Sequence, residues 1–308
     1  MRLFLPSLFA AVFLQTSLFA QAELLRDSSV KRVVFIGNSI TWSGEYINYI
    51  DTYCSFYKPG QAMEFINVGL PSETVSGLSE EGHAGGKFPR PDLHERLVRV
   101  LEATKPDLII SCYGMNDGIY LPFDEERFAK YKAGILWLDE EVKKRGIKII
   151  HTTPPIYDPQ KGEAYANVLD IYSDWLISRR YTEGWHVIDL HWPMRKYLED
   201  QRQLDSTFYL AKDGVHPNET GHWLMAKEIL LYMGYEEVDT AKNVWEALSA
   251  FEQAEAVLSL VSERQKISRD AYLRLSKHLR PGLPEGLAIE AAELKMKALD
   301  EQIEALLD

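Results

Sequence analysis

Five short apolar runs punctuate the first two thirds of the chain, with helical patterns between them. The runs lie at 31–36, 63–68, 107–112, 147–152 and 185–190 and are rich in Val, Ile and Leu. Continuous runs of this kind suit strands buried on both faces, as in parallel sheets. Helices are expected at about 44–57, 92–104, 124–145, 161–181 and 218–233. This alternation predicts an α/β fold, a three-layer sandwich around a five-stranded parallel sheet. Ligands of such sheets bind beyond the carboxyl ends of the strands. The Gly, Asn and Ser residues cluster there: Gly37 follows the first run, Gly69 the second, and Tyr113-Gly114 the third.

Past residue 236 the strand signal ends. Val244, Leu248 and Phe251, then Leu258 and Val261, then Leu275 and Leu279 recur at helical spacing. A break at Pro281-Gly282-Leu283-Pro284 precedes a second helix, whose Ala292, Met296, Leu299, Ile303 and Leu306 form one seam. The expectation is a C-terminal helical hairpin over 236–308, packed on a 23–235 body, with association of copies through it as the alternative.

The first 22 residues read as an export signal. A basic start at Arg2 leads into an apolar stretch and then Ala20-Gln21-Ala22, a small-x-small cleavage pattern. The apolar stretch is shorter than the ~20 residues a membrane span needs. A secreted or periplasmic protein is expected, with no membrane association after signal removal. The net charge of -12 excludes a nucleic-acid partner, which would demand clustered Lys and Arg. Cys54 and Cys112 are too few for a disulfide framework and read as small buried hydrophobes.

Candidate chemistry sits at strand ends and on one late loop. Gly37-Asn38-Ser39 follows the first strand, where a serine hydroxyl can face the cleft; a helix-capping serine is the ordinary alternative. Asp213-Gly214-Val215-His216 can set a carboxylate against one ring nitrogen and leave the other as a base. Its ordinary alternative is a turn before the helix near Asn218. The N–H groups of Ser39 and Gly69 and the amide of Asn116 are candidate oxyanion donors. No His-Glu-x-x-His pattern suggests a metal.

Together, Ser39, Gly69, Asn116 and His216 resemble the SGNH (GDSL-type) hydrolases, over residues 31–233. The resemblance implies a flavodoxin-like sandwich and no cofactor. It also implies Ser39 as nucleophile, His216 as base, Asp213 as its orienter, and an oxyanion hole of Ser39, Gly69 and Asn116. One departure is Asn38, where the family usually has Asp. The substrate expected is a small-molecule or polysaccharide acyl ester, foremost an O-acetylated sugar. A lipid or thioester hydrolase and a non-catalytic glycan binder are the alternatives. Trp42, Tyr113 and Tyr120 adjoin the motifs and are candidate substrate contacts, with packing the commoner role of such aromatics. Arg90 and His83 in the Gly- and Pro-rich loop 81–91 are further candidates, with a solvated loop the ordinary alternative. His278 and Arg280 precede the hairpin break and could reach back toward the cleft; a solvated helix C-terminus is the ordinary account of them.

Overall fold

A computed structural model describes residues 29–57 and 63–307. The proposed signal at 1–22 lies outside the described residues. The chain runs β1 (Arg32–Gly37), α1 (Ser39–Ser43), α2 (Glu45–Tyr57), β2 (Glu64–Asn67), α3 (Leu93–Thr104), β3 (Leu108–Cys112) and α4 (Glu125–Lys143). It continues β4 (Lys148–Thr152), α5 (Glu163–Thr182), β5 (Val187–Ile188), α6 (His191–Leu204), α7 (Glu219–Tyr232), α8 (Ala254–Leu275) and α9 (Ile289–Leu307).

All five strands are parallel, in the order β2-β1-β3-β4-β5. This is the flavodoxin-like order. Val33 to Gly37 of β1 and all of β3 are buried, which is why their sequences show no polar alternation. β5 shrinks to two residues because it pairs β4 only at Val187 and Ile188. Beyond it the Asp189 carboxylate turns the chain, accepting from Thr153 Oγ1 and the His191 N–H.

Two helices were not expected. α1 is a single short turn after β1. α6 buries only His191, Met194 and Leu198, and the rest of its face is charged or polar. Pro193 in its first turn also disguises it, although proline is tolerated there.

The C-terminal helices form the expected hairpin, but its first arm is α8 alone: Val244–Ala247 is a separate short helix, and Leu248, Phe251 and Leu279 lie outside α8. Val257 and Val261 meet Ile303, and Arg264 pairs with Asp300, so α8 and α9 run antiparallel. The predicted seam residues Ala292, Leu299 and Ile303 are the buried ones of α9. α8 lies against α2, β2 and α3 and so covers the outer edge of the sheet. Gln265 Nε2 donates to Phe65 O of edge strand β2 at 2.8 Å and to the buried Asp51 carboxylate at 2.6 Å. Covering an edge strand removes a template for unwanted pairing. Cys54 and Cys112 are not joined. Among the described residues no helix is long and apolar enough to cross a membrane.

Candidate active site

The strand order reverses between β1 and β3, so the chain leaves these neighbours in opposite directions. A crevice opens at their carboxyl ends. Ser39 follows β1 and Asn116 lies on the loop after β3, both at these carboxyl ends.

Asn38, not Ser39, caps α1: its Oδ1 accepts from the Ile40 N–H at 3.0 Å. Ser39 is the first helical residue, and its N–H has no intrahelical acceptor. An Asp at position 38 would cap in the same way, so the departure from the usual family motif leaves the local geometry intact. Ser39 Oγ lies 2.9 Å from His216 Nε2, and His216 Nδ1 lies 2.6 Å from Asp213 Oδ2. Asp213 Oδ1 also accepts from the backbone N–H groups of Val215 and His216. Burial alone would raise the Asp213 pKa, but these bonds, the His216 ring first, hold it down to about 2. An ionised carboxylate fixes the ring tautomer with the proton on Nδ1, leaving Nε2 to accept from the serine. Both side chains are half-exposed, as access by a substrate requires.

The Asn116 amide is pinned at both ends. Its Nδ2 donates to Glu73 O at 3.1 Å, and its Oδ1 accepts from the Tyr120 hydroxyl at 2.9 Å. One Nδ2 hydrogen remains for a ligand. Tyr120 reaches Asn116 because Ile119 and Tyr120 both take left-handed conformations, each with φ 56°. That costs roughly 1–2 kcal/mol per residue, unusual for a β-branched Ile. Buried contacts hold the turn: Tyr165 donates to Met115 O, and the Asp117 carboxylate accepts from the N–H groups of Gly114, Val75 and Ser76.

Gly69 departs from expectation. Its N–H donates to Asn67 Oδ1 at 2.9 Å and is not free for an oxyanion. Glycine is required there for another reason: a Cβ would stand 2.4 Å from Trp42 N. The residue that sequence reasoning missed is Ser72. It sits in the same loop with φ 70°, and its N–H has no acceptor among the described residues. A left-handed serine leaves no mark in a sequence.

The candidate substrate contacts are differently disposed. Tyr113 is fully buried and donates to Glu73 Oε2 at 2.6 Å, so it presents no face to the cleft. Arg90 is buried too, clamped by both Glu80 oxygens at 2.6 and 2.7 Å, with Tyr120 stacked 5.4 Å away. His83 is held by Glu80 and by the edge of Phe88. Trp42 is half-buried, with the Arg269 guanidinium 4.3 Å over its ring. Tyr120 is a support for Asn116. A cavity of about 300 Å³ lies between Tyr53, Tyr57 and Val238; none of its lining residues belongs to this crevice.

The model of the GDSL-like lipase/acylhydrolase family matches residues 35–224. The chain belongs to this family and is a serine hydrolase of carboxylic esters. An acetylxylan esterase from Geobacillus stearothermophilus is 24% identical over 238 residues, 70% of this chain and 99% of the relative. A solved acetylxylan esterase from that organism aligns with a TM-score of 0.53 at 24% identity, over 68% of this chain and 97% of the other. A gut microbial diltiazem-metabolizing enzyme aligns with a TM-score of 0.52 at 22% identity, over 67% of this chain and 47% of the other. An α/β hydrolase from the metagenome of Lake Arreo, Spain, gives 0.52 at 22% identity, over 66% and 95%. These structures share the fold.

His222, on α7 behind the crevice, generates a pH prediction. Burial, and then the charge of His216, press its pKa down to about 4 from an ordinary 6.5. It stacks on Tyr46, and its Nε2 faces Ser43 Oγ and Glu45. The unfolded chain therefore binds a proton between these values that the folded chain refuses. Stability should fall as pH drops from about 6.5 to about 4, by at most about 3 kcal/mol from this group. Melting temperatures across that range should slope less for His222→Phe than for the wild type. Parallel curves would exclude His222 as the source.

Proposed function

We propose that this chain is an exported carbohydrate O-deacetylase, with Ser39 as nucleophile, His216 as general base and then acid, and Asp213 as its orienter. The observation that carries the reading is the continuous Ser39–His216–Asp213 chain at the carboxyl ends of the sheet. Ser39 Oγ attacks the acetyl carbonyl while its proton passes to His216 Nε2. The C–O double bond opens to an oxyanion. The Ser39 N–H, the Ser72 N–H and the spare Asn116 Nδ2 hydrogen, each without an acceptor among the described residues, receive it. His216 returns the proton to the departing sugar hydroxyl as the ester bond breaks, leaving acetyl-Ser39. Water, deprotonated by His216, then attacks the same carbonyl; the carbonyl carbon's bond to Ser39 Oγ breaks, His216 returns the proton to Oγ, and acetate leaves.

An acetylated sugar as substrate is supported by the relative named an acetylxylan esterase. Export is supported by residues 1–22, and a water-soluble substrate by the acidic composition. The competing reading is a lipid or thioester acyl hydrolase. Acetate release from acetylated xylan and other acetylated polysaccharides should be robust for wild type and lost in Ser39→Ala. In a chain-length series of acyl esters, kcat/KM should be highest for acetyl. A maximum at long chains would replace the sugar reading with the lipid one.

Tyr120 supplies a sharper check on the oxyanion donors. Tyr120→Phe frees the Asn116 amide to rotate but removes no donor. It should lower kcat by about tenfold, roughly 1.4 kcal/mol in the barrier, with KM little changed. Asn116→Ala should cost about 100- to 1000-fold. Unchanged kcat in both variants would take Asn116 out of the mechanism.

A further inference from the structure

Two arginines of the C-terminal hairpin reach the walls of the crevice, and they do so in the same way. Arg269, on α8, donates from Nη1 to Trp42 O at 2.8 Å and lies over the Trp42 ring. Trp42 is on α1, the turn that carries Ser39. Arg280, just past α8, donates from Nε to Pro71 O at 3.0 Å and lies 5.4 Å from the Phe88 ring. Arg269 is neutralised by Asp270. Arg280 has no carboxylate partner among the described residues; its other bond is to Pro281 O. Its charge is thus directed at peptide carbonyls.

The Pro71 carbonyl and the Ser72 N–H belong to one peptide unit. The unit is trans, so its oxygen and its N–H point in opposite directions. With the oxygen turned toward Arg280 of the hairpin, the Ser72 N–H points away from it. A cation at the oxygen end also draws electron density along the unit and makes the N–H a stronger donor, the cooperative effect of linked hydrogen bonds. The next residue is fixed as well: Glu73 gives its carbonyl to Asn116 and its carboxylate to Arg96.

We propose that Arg280, supplied by the C-terminal hairpin, is a positioning residue of the oxyanion hole, holding and polarising the Pro71–Ser72 peptide so that its N–H stabilises the tetrahedral intermediate. This rests on the reading of Ser39 as nucleophile and Ser72 N–H as donor. It gives the hairpin a part in the reaction beyond packing. The stabilisation applies only when negative charge develops on the substrate oxygen, so its loss falls on kcat and not on KM.

The experiment compares full-length wild type with Arg280→Met, Arg280→Lys and Ser39→Ala, using an aryl acetate as substrate and an aryl boronic acid as a tetrahedral analogue. Arg280→Met keeps an apolar stem against Phe88 but loses the charge and the bond. It should lower kcat about tenfold or more, leave KM within about twofold, keep the melting temperature, and weaken boronate binding by a similar factor. Arg280→Lys should recover a substantial part of both losses. Wild-type kcat in Arg280→Met beside an inactive Ser39→Ala would overturn the role of Arg280 while leaving the serine mechanism standing. So would a kcat loss that appears only with a lowered melting temperature, or one that leaves boronate binding unchanged. An active Ser39→Ala would overturn the mechanism itself and this role with it.

Discussion

The crevice hangs on the buried pair between Glu73 and Arg96. Arg96 grips the Glu73 carboxylate with two nitrogens, at 2.5 and 2.8 Å, and also donates to Val68 O at the end of β2. Both side chains are almost wholly buried. A pair so placed contributes little net stability against an apolar replacement, but losing one partner strands a charge at a cost of about 3–5 kcal/mol. What it secures is position. Tyr113 after β3 donates to the same carboxylate, and Asn116 donates to the Glu73 carbonyl. One residue thus ties the loop after β2 to the loop after β3, and Ser72 is its immediate neighbour.

The molecule holds a second Ser–His–Asp chain that shows what the first one needs. Ser111 Oγ lies 2.8 Å from His151 Nδ1, and His151 Nε2 lies 3.3 Å from Asp139. All three are buried, Ser111 and His151 in the sheet and Asp139 on α4, His151 is stacked on Trp185, and Ser111 lies within the β3 ladder, paired on both sides. Burial lowers the His151 pKa even against the pull of Asp139. The residue types are the same in the two chains, but at the crevice the carboxylate meets Nδ1 of the ring at 2.6 Å, whereas in the buried chain it meets Nε2 at 3.3 Å. Access, and donors poised where charge develops, set the chain at the crevice apart.

The five parallel strands were legible in local pattern, whereas the flavodoxin-like arrangement and the joining of Ser39, His216 and Asp213 followed from the family resemblance of the motifs taken together. Apolar runs mark strands buried on both faces, and Gly37-Asn38-Ser39 and Asp213-Gly214-Val215-His216 mark loops at their ends. The hairpin was legible from spacing, although Val244, Leu248, Phe251 and Leu279, read into its first arm, lie outside α8. α6 was not, because its buried face is only three residues wide. Gly69 misled because a glycine after a strand suggests a free N–H, whereas here it permits close contact with the Thr41 and Trp42 backbone. Ser72 and the Tyr120 support depend on left-handed φ values, which no local pattern records; a reach of Arg280 toward the cleft was one of two readings, but its contact with Pro71 spans 209 residues of chain. Tyr113 adjoins a motif and Arg90 lies in the 81–91 loop, but both are buried, each with a carboxylate partner.

The most direct measurement is covalent labelling of the intact protein with a fluorophosphonate ester, followed by peptide mass spectrometry. If Ser39 is the activated nucleophile, one phosphonyl group per chain should appear on the peptide containing Ser39, and His216→Ala should label far more slowly. Labelling at another residue, Ser111 included, or none on an enzyme that still hydrolyses aryl acetates, would contradict the account.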